Sequence, residues 1–350
     1  MATYFVLGAA SFLGSNFVHY VLREDEQAQV VSIDALDGQA CLASLQDLSE
    51  EERHTFAHVA RKDAVALDRL FTKYGPDYVV SFDSPGVAGK QGGAAALDDL
   101  ATLLEIARAD WEEPDKTFGE KRFLQVSSAC VYGLPDEMAS EEDALHPCSA
   151  EAASAAAADL LALAAHAQYG FPVCVARVGD AFGHEQFPTE PVAAAICAAL
   201  DAKCVPAPFG DQSTGQVLHA DDCSRGLETI LQNGQLGEVY NIANPAQIDA
   251  AELVRAVKAG CAAALKSSEA IKEEAADKPT ARKVPLLATA KLEALGWKPQ
   301  RPFVRALADT IVWYFGNKEW VDEAASGGYK QRNEELLNPK PVRKRSRGKH

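Results

Sequence analysis

The sequence predicts an α/β protein, a doubly wound parallel sheet with helices on both faces. Three observations predict it. Short apolar runs of strand length alternate with stretches of helical periodicity from the first residues onward. A glycine turn joins the first strand to the first helix, and an acidic residue closes the second strand.

The elements follow in order. "TYFVLG" (3–8) is a buried strand, and "FLGSNFVHYVLRED" (12–25) is a helix that begins directly after the turn. "AQVVSID" (28–34) is the second strand. A helix near 63–74 precedes "DYVVSF" (77–82), and one near 94–110 precedes "KRFLQVSS" (121–128). An alanine-rich helix over 149–167 leads into "FPVCVARVG" (171–179). Beyond residue 180, Pro and Gly punctuate "GDAFGHEQFPTEP" and "CVPAPFGDQSTG", and the alternation loosens. "GEVYNIAN" (237–244) reads as one more strand, with helices at about 249–264, 289–295 and 303–317. From 324 the chain is expected to be an extended tail, disordered and basic at its end.

At 350 residues with 47% hydrophobic content, the chain can bury one large core or two intimately packed ones. No apolar run reaches the length of a membrane span. The amino terminus has no basic n-region and is expected to open a domain, not a signal peptide. The 8 cysteines contain no CxxC pair, so reduced thiols in a cytoplasmic protein are expected, with neither a disulfide framework nor a metal site. Net charge is −16, unevenly spread. The final "NPKPVRKRSRGKH" holds six of the 34 basic residues, which leaves 28 against 50 acids in the body. Such a tail can lie on its own acidic surface or meet nucleic acid or an anionic surface, while the acidic body argues against nucleic-acid binding as the main task.

"GAASFLG" sets Gly8 and Gly14 around a strand-to-helix turn whose free N–H groups can cradle a pyrophosphate, with Ser11, Phe12 and Leu13 between them. Asp34, at the end of the second strand, is placed to bond adenosine ribose hydroxyls, and it would repel a 2′-phosphate, which selects NAD over NADP. Ser11 stands where a third glycine would let the phosphates approach. A tight turn without nucleotide is the alternative.

Five pieces in order, "GAASFLGSNFVHYVL", "FLQVSSACVYG", "YGFPVCVARVGDAFGHEQFP", "GEVYNIAN" and "LGWKP…DTIVWYFGN", resemble the extended short-chain dehydrogenase/reductases, the NAD-dependent epimerase/dehydratases, and within them the sugar-nucleotide 4,6-dehydratases. The resemblance implies a Rossmann-type NAD domain over 1–179 with a returning strand near 217–244. It also implies a small substrate-binding subdomain from 180–216 and 245–320, followed by the tail from 324 to 350. It puts Asp180, Gln186 and Phe187 on the substrate side, and implies a dimer built through the alanine-rich helix, with Leu160, Leu161 and Leu163 as contact area. The dimer is expected to be a homodimer or a heterodimer with an active paralogue.

In that family a tyrosine takes a proton from a sugar hydroxyl as NAD accepts hydride, and a lysine one helical turn later lowers the tyrosine's pKa. In register with Asp159, those positions hold Glu151 and Ala155, and no Lys or Arg occurs from Phe123 to Ala176. The only YxxxK, Tyr314 to Lys318, lies in the terminal helix and reads as surface spacing. The family's Thr-Asp-Glu run is Ser128-Ala129-Cys130 here, with Cys130 expected as a quiet buried thiol. Asp83 and Pro85 change the turn after the third family strand. Gly215 replaces a phosphate-binding arginine, and Asp180 and Glu190 replace an asparagine and a lysine, so an ordinary sugar nucleotide is doubtful as ligand. Asp221 or Asp222 is expected to cap a helix beside His219, and His184 is a further loop histidine. Three functions stay open: a non-catalytic dinucleotide-binding or scaffold member, an enzyme of altered chemistry with Glu151 as base and Ser128 as hydroxyl donor, and a working dehydratase or epimerase.

Overall fold

Seven parallel strands carry the molecule, in the spatial order 239–242, 173–178, 122–128, 78–81, 3–7, 29–34 and 54–58. The computed structural model describes residues 2–82, 93–201, 214–265 and 284–338. Along the chain run β1 (Thr3–Leu7), α1 (Phe12–Glu24), β2 (Gln29–Asp34), β3 (His54–His58), α2 (Ala64–Tyr74), β4 (Tyr78–Ser81), α3 (Gly93–Trp111), β5 (Arg122–Ser128), α4 (Ala150–Tyr169) and β6 (Val173–Val178). The second half adds β7 (Ala181–Phe182), α5 (Pro191–Leu200), β8 (Thr214–Gly215), β9 (Leu218–His219), α6 (Ala220–Asn233), β10 (Val239–Ile242), β11 (Ile248–Asp249), α7 (Ala250–Leu265), α8 (Ala290–Glu293), α9 (Phe303–Gly316), α10 (Lys318–Ser326) and α11 (Tyr329–Leu337).

The strands are continuous apolar runs because both faces of the sheet are covered. Side-chain alternation sends Tyr4, Val6, Val30 and Val80 to the face packed by α1 and α6. Phe5, Leu7, Val31, Ile33 and Val79 go to the other face, with Leu67, Leu103 and Trp111. The strand order reverses between β1 and β4, and this switch point opens a crevice at the carboxyl ends of the strands. A second core of Val192, Ile196, Leu253, Val257, Leu307 and Ile311 joins α5, α7 and α9.

β3, α5, α10 and α11 are not among the elements expected from the sequence. β3 is a half-buried edge strand, "HTFAH", whose polar residues hide its period. The stretch from 324 is not extended. α10 continues to Ser326, and α11 buries Tyr329 and Asn333 against the turn at Leu42–Leu48. Its sequence "YKQRNEELL" has no apolar stripe, so periodicity could not reveal it. Asp83, Pro85 and the basic end from 339 lie outside the described residues.

Candidate functional site: the crevice at the strand ends

The glycine turn is built from its own backbone. Gly8, at φ 71°, donates to the Ile33 carbonyl, and Ser11 N–H donates back to Gly8 O at 3.1 Å. A Cβ on Gly14 would stand 2.1 Å from Gly8 O, so only glycine lets α1 start this close to β1. The Ser11 hydroxyl donates to Gly8 O at 2.6 Å and accepts from Gly14 N–H at 3.3 Å, which makes it the helix N-cap. No hydrogen bond among the described residues takes the Phe12 or Leu13 N–H.

Asp34 is 6% exposed. Its carboxylate accepts from Ala10 N–H at 2.9 Å and from Leu36 N–H at 2.7 Å. Burial pushes its pKa up to about 6, against the two amides that favour the charged form. The acid thus ties the glycine turn to the loop after β2, and each oxygen keeps a lone pair for a further donor.

A cavity of about 430 Å³ opens beside this turn. Of the residues singled out from sequence, Ser11, Phe12, Leu13, Ser128, Asp180, Gln186 and Phe187 line it together. Gly8 and Gly14 shape the turn beneath. Glu151 is exposed in the first turn of α4 and is not part of the lining. Sequence reasoning missed Gln39 and Thr189, whose side chains meet at 3.1 Å. No local pattern announces a contact between residues this far apart in the chain.

On the cavity floor Ser128 accepts from Cys130 N–H at 3.2 Å. The Cys130 thiol is half-buried, not fully buried as expected. Gln186, 4% exposed, donates to the Ala181 carbonyl at 2.7 Å, and its Oε1 is buried with no partner among the described residues. A buried acceptor on a cavity wall is a place for a ligand hydroxyl.

Behind the floor Ala155, 2% exposed, and Ala129 belong to one apolar cluster with Val131, Tyr132 and Leu287. These are the positions where the resemblance leads one to expect the family's lysine and one of its acids. Tyr132 is no substitute base. Its hydroxyl accepts from Arg177 at 2.8 Å and donates to Asn241 at 2.8 Å, and burial raises its pKa. Arg177 is itself paired with the fully buried Asp159 at 2.9 Å. Tyr169 ends α4 at the surface beneath Arg108. Tyr314 does not lie at the surface or in the terminal helix as expected: it is 2% exposed in α9, with two helices after it, and its hydroxyl donates to the Gln186 carbonyl.

The other candidates resolve as structure. His219 Nδ1 caps α6 by accepting from Asp221 N–H at 3.1 Å, in place of the expected aspartate cap. Asp222 instead accepts from the Gln300 and Arg301 amides. His184 stacks on Trp313. Leu160 is 59% exposed, whereas Leu161 and Leu163 pack partly into their own core. Gly215 is buried in β8 beside Ile248. Glu190 lines the cavity at the start of α5. Among the described residues, no three His, Cys, Asp or Glu side chains group as a metal site, and no helix is long and apolar enough to cross a membrane.

Residues 4–243 match the NAD dependent epimerase/dehydratase family. The chain belongs to that family. It is 31% identical to the dTDP-glucose 4,6-dehydratase of Shigella flexneri, over 93% of this chain and 96% of the relative. It is 30% identical to dTDP-glucose 4,6-dehydratase 1 of Escherichia coli K12 over the same shares. The fold superposes on the NAD complex of dTDP-glucose 4,6-dehydratase from Bacillus anthracis with a TM-score of 0.78 at 26% identity, over 93% of this chain and 100% of that one. It also matches the NAD-bound dTDP-glucose 4,6-dehydratase of Streptomyces venezuelae with a TM-score of 0.76 at 28% identity, over 92% and 99%.

Proposed function

We propose that this chain binds NAD in the crevice and is a non-catalytic member of the epimerase/dehydratase family, acting as a dinucleotide-binding scaffold. The observation that carries the reading is the apolar cluster that holds Ala155 and Ala129. An ammonium or a carboxyl group needed for proton transfer is replaced there by methyl groups packed on one another.

The residues present fit the phosphate and adenosine ends of a dinucleotide. The cradle at Gly14 excludes even a Cβ, the Phe12 and Leu13 amides are available, and Asp34 closes β2. Those amides would take pyrophosphate oxygens, and Asp34 would accept from ribose hydroxyls. NAD, when bound, supplies a hydride acceptor. On the substrate side, Ser128 and the Gln186 Oε1 would bond hydroxyls of a sugar-like ligand. Asp180 and Glu190 on the same wall disfavour a diphosphate. Leu160 on α4 supports a dimer, of this chain alone or with an active paralogue.

Calorimetric titration with NAD and then dTDP-glucose, run beside an assay for the 4-keto-6-deoxy product, tests the proposal. Saturable NAD binding with no product is expected. Product formed at a rate above the uncatalysed background would sink it.

A further inference from the structure

The C-terminal helices α10 and α11 grip the loop that leaves Asp34. Asn333, 3% exposed, spans that loop with both ends of its carboxamide. Its Nδ2 donates to the Ala40 carbonyl at 2.9 Å, and its Oδ1 accepts from Leu42 N–H at 2.8 Å. Tyr329 donates its hydroxyl to the Gly38 carbonyl at 2.6 Å. Between these points Cys41 N–H donates to Ala10 O of the glycine turn at 2.8 Å. The loop therefore hangs from α11 on one side and from the phosphate cradle on the other.

It needs this hold. Leu36 sits at φ 56°, a left-handed conformation that a leucine keeps only when its surroundings fix it. A helix that only covered the core would present an apolar side chain here. A buried amide that makes two peptide-like bonds fixes the position of the backbone.

The same helices reach the opposite wall. Trp320 and Tyr329 pack edge-on against Phe187, with ring centroids 5.7 and 5.1 Å away. Trp320 also donates its indole N–H to Ser44. Phe187 lines the cavity, and Gln39 of the gripped loop reaches Thr189 across its mouth.

We propose that α10 and α11 form a positioning arm of the cavity. Asn333 and Tyr329 hold the loop on which the adenosine end of the dinucleotide would rest, and Trp320 with Tyr329 holds Phe187 on the facing wall. The inference rests on the cofactor reading above. Asn333 acts through the loop backbone and is a positioning residue.

Calorimetric NAD titration of the full chain tests it, with Asn333→Ala, Tyr329→Phe, and double variants that combine Asn333→Ala with Asp34→Asn or with Ser128→Ala. Asn333→Ala should weaken NAD by about tenfold, the effect of two ordinary hydrogen bonds on the bound loop. Tyr329→Phe, which keeps the ring on Phe187, should weaken it about threefold. The loss from Asn333→Ala should be less than additive with Asp34→Asn and additive with Ser128→Ala, a pattern that general loosening of the fold does not produce. A folded Asn333→Ala that binds like the wild type, or that couples equally to both sites, overturns the arm. If Asn333→Ala does not fold, Tyr329→Phe decides alone, and unchanged affinity there overturns it. A wild type that takes no NAD overturns the cofactor reading and the arm with it. Normal wild-type binding with unaffected variants overturns the arm only.

Discussion

Ser11 decides how well the cradle accepts phosphate. Its hydroxyl is spent on Gly8 O and Gly14 N–H, so in this rotamer it has no proton left for a ligand, while its Cβ stands in the crevice wall. Ser11→Gly removes the Cβ and costs only a few tenths of a kcal/mol as an N-cap. NAD affinity measured by calorimetry should rise by about three- to tenfold. Asp34 gives a second test at this scale. Its pKa of about 6 means that it ionises as the pH rises from 5 to 7, and the charged form is the stronger acceptor for ribose hydroxyls. NAD affinity should therefore rise over that range in the wild type and stay flat in Asp34→Asn.

At the scale of elements, α4 is held by its caps and by one buried ion pair. Alanine keeps the helix intact, and Ser149 and Gly170 cap its two ends. Asp159 from its buried side pairs with Arg177 of β6, linking helix to sheet across the core. Arg177→Leu would strand a fully buried carboxylate and should destabilise the protein by about 3–5 kcal/mol in urea unfolding. Leu160, one residue on from Asp159, is turned out to solvent. The proposed dimer predicts that the wild type sediments as a dimer and Leu160→Glu as a monomer, with the midpoint of unfolding unchanged. α4 was legible because composition alone specifies it. α11 was not, since its burial depends on one phenol and one carboxamide that meet a loop some 290 positions earlier (Asn333 to Ala40 and Leu42). β3 stayed hidden because an edge strand need not alternate.

Over the whole molecule, the sequence exposed most of the sheet and residues on both walls of the cavity, Ser11, Phe12 and Leu13 on one and Asp180, Gln186 and Phe187 on the other, because contiguous pieces such as 8–14 and 180–187 carry their own geometry. The contact of Gln39 with Thr189 and the brace behind Phe187 come from residues brought together only by folding. Long-range assembly also sets the pH response. Glu185, turned toward Ser15 and His19 behind the glycine turn, has its pKa pushed up to about 7 by burial. A carboxyl group that binds its proton more tightly when folded favours the folded state below its unfolded pKa, and loses that advantage as the pH rises through the folded one. Glu185 and Asp34 thus lower stability between about pH 4 and 7 as the pH rises. His219, with its pKa lowered to about 4, acts in the opposite direction, losing stability as the pH falls below 6.5. Urea unfolding of Glu185→Gln across pH 4.5–7 should show a more positive slope of stability with pH than the wild type.

Two of the four indoles, Trp313 and Trp320, lie behind the loop at 184–187, one stacked on His184 and the other against Phe187, while Trp111 and Trp297 sit in the sheet cores. The molecule therefore carries its own optical reporter. Anything that enters the crevice and nudges Phe187 alters the light these two rings emit, so occupancy can be followed in real time on the unlabelled protein.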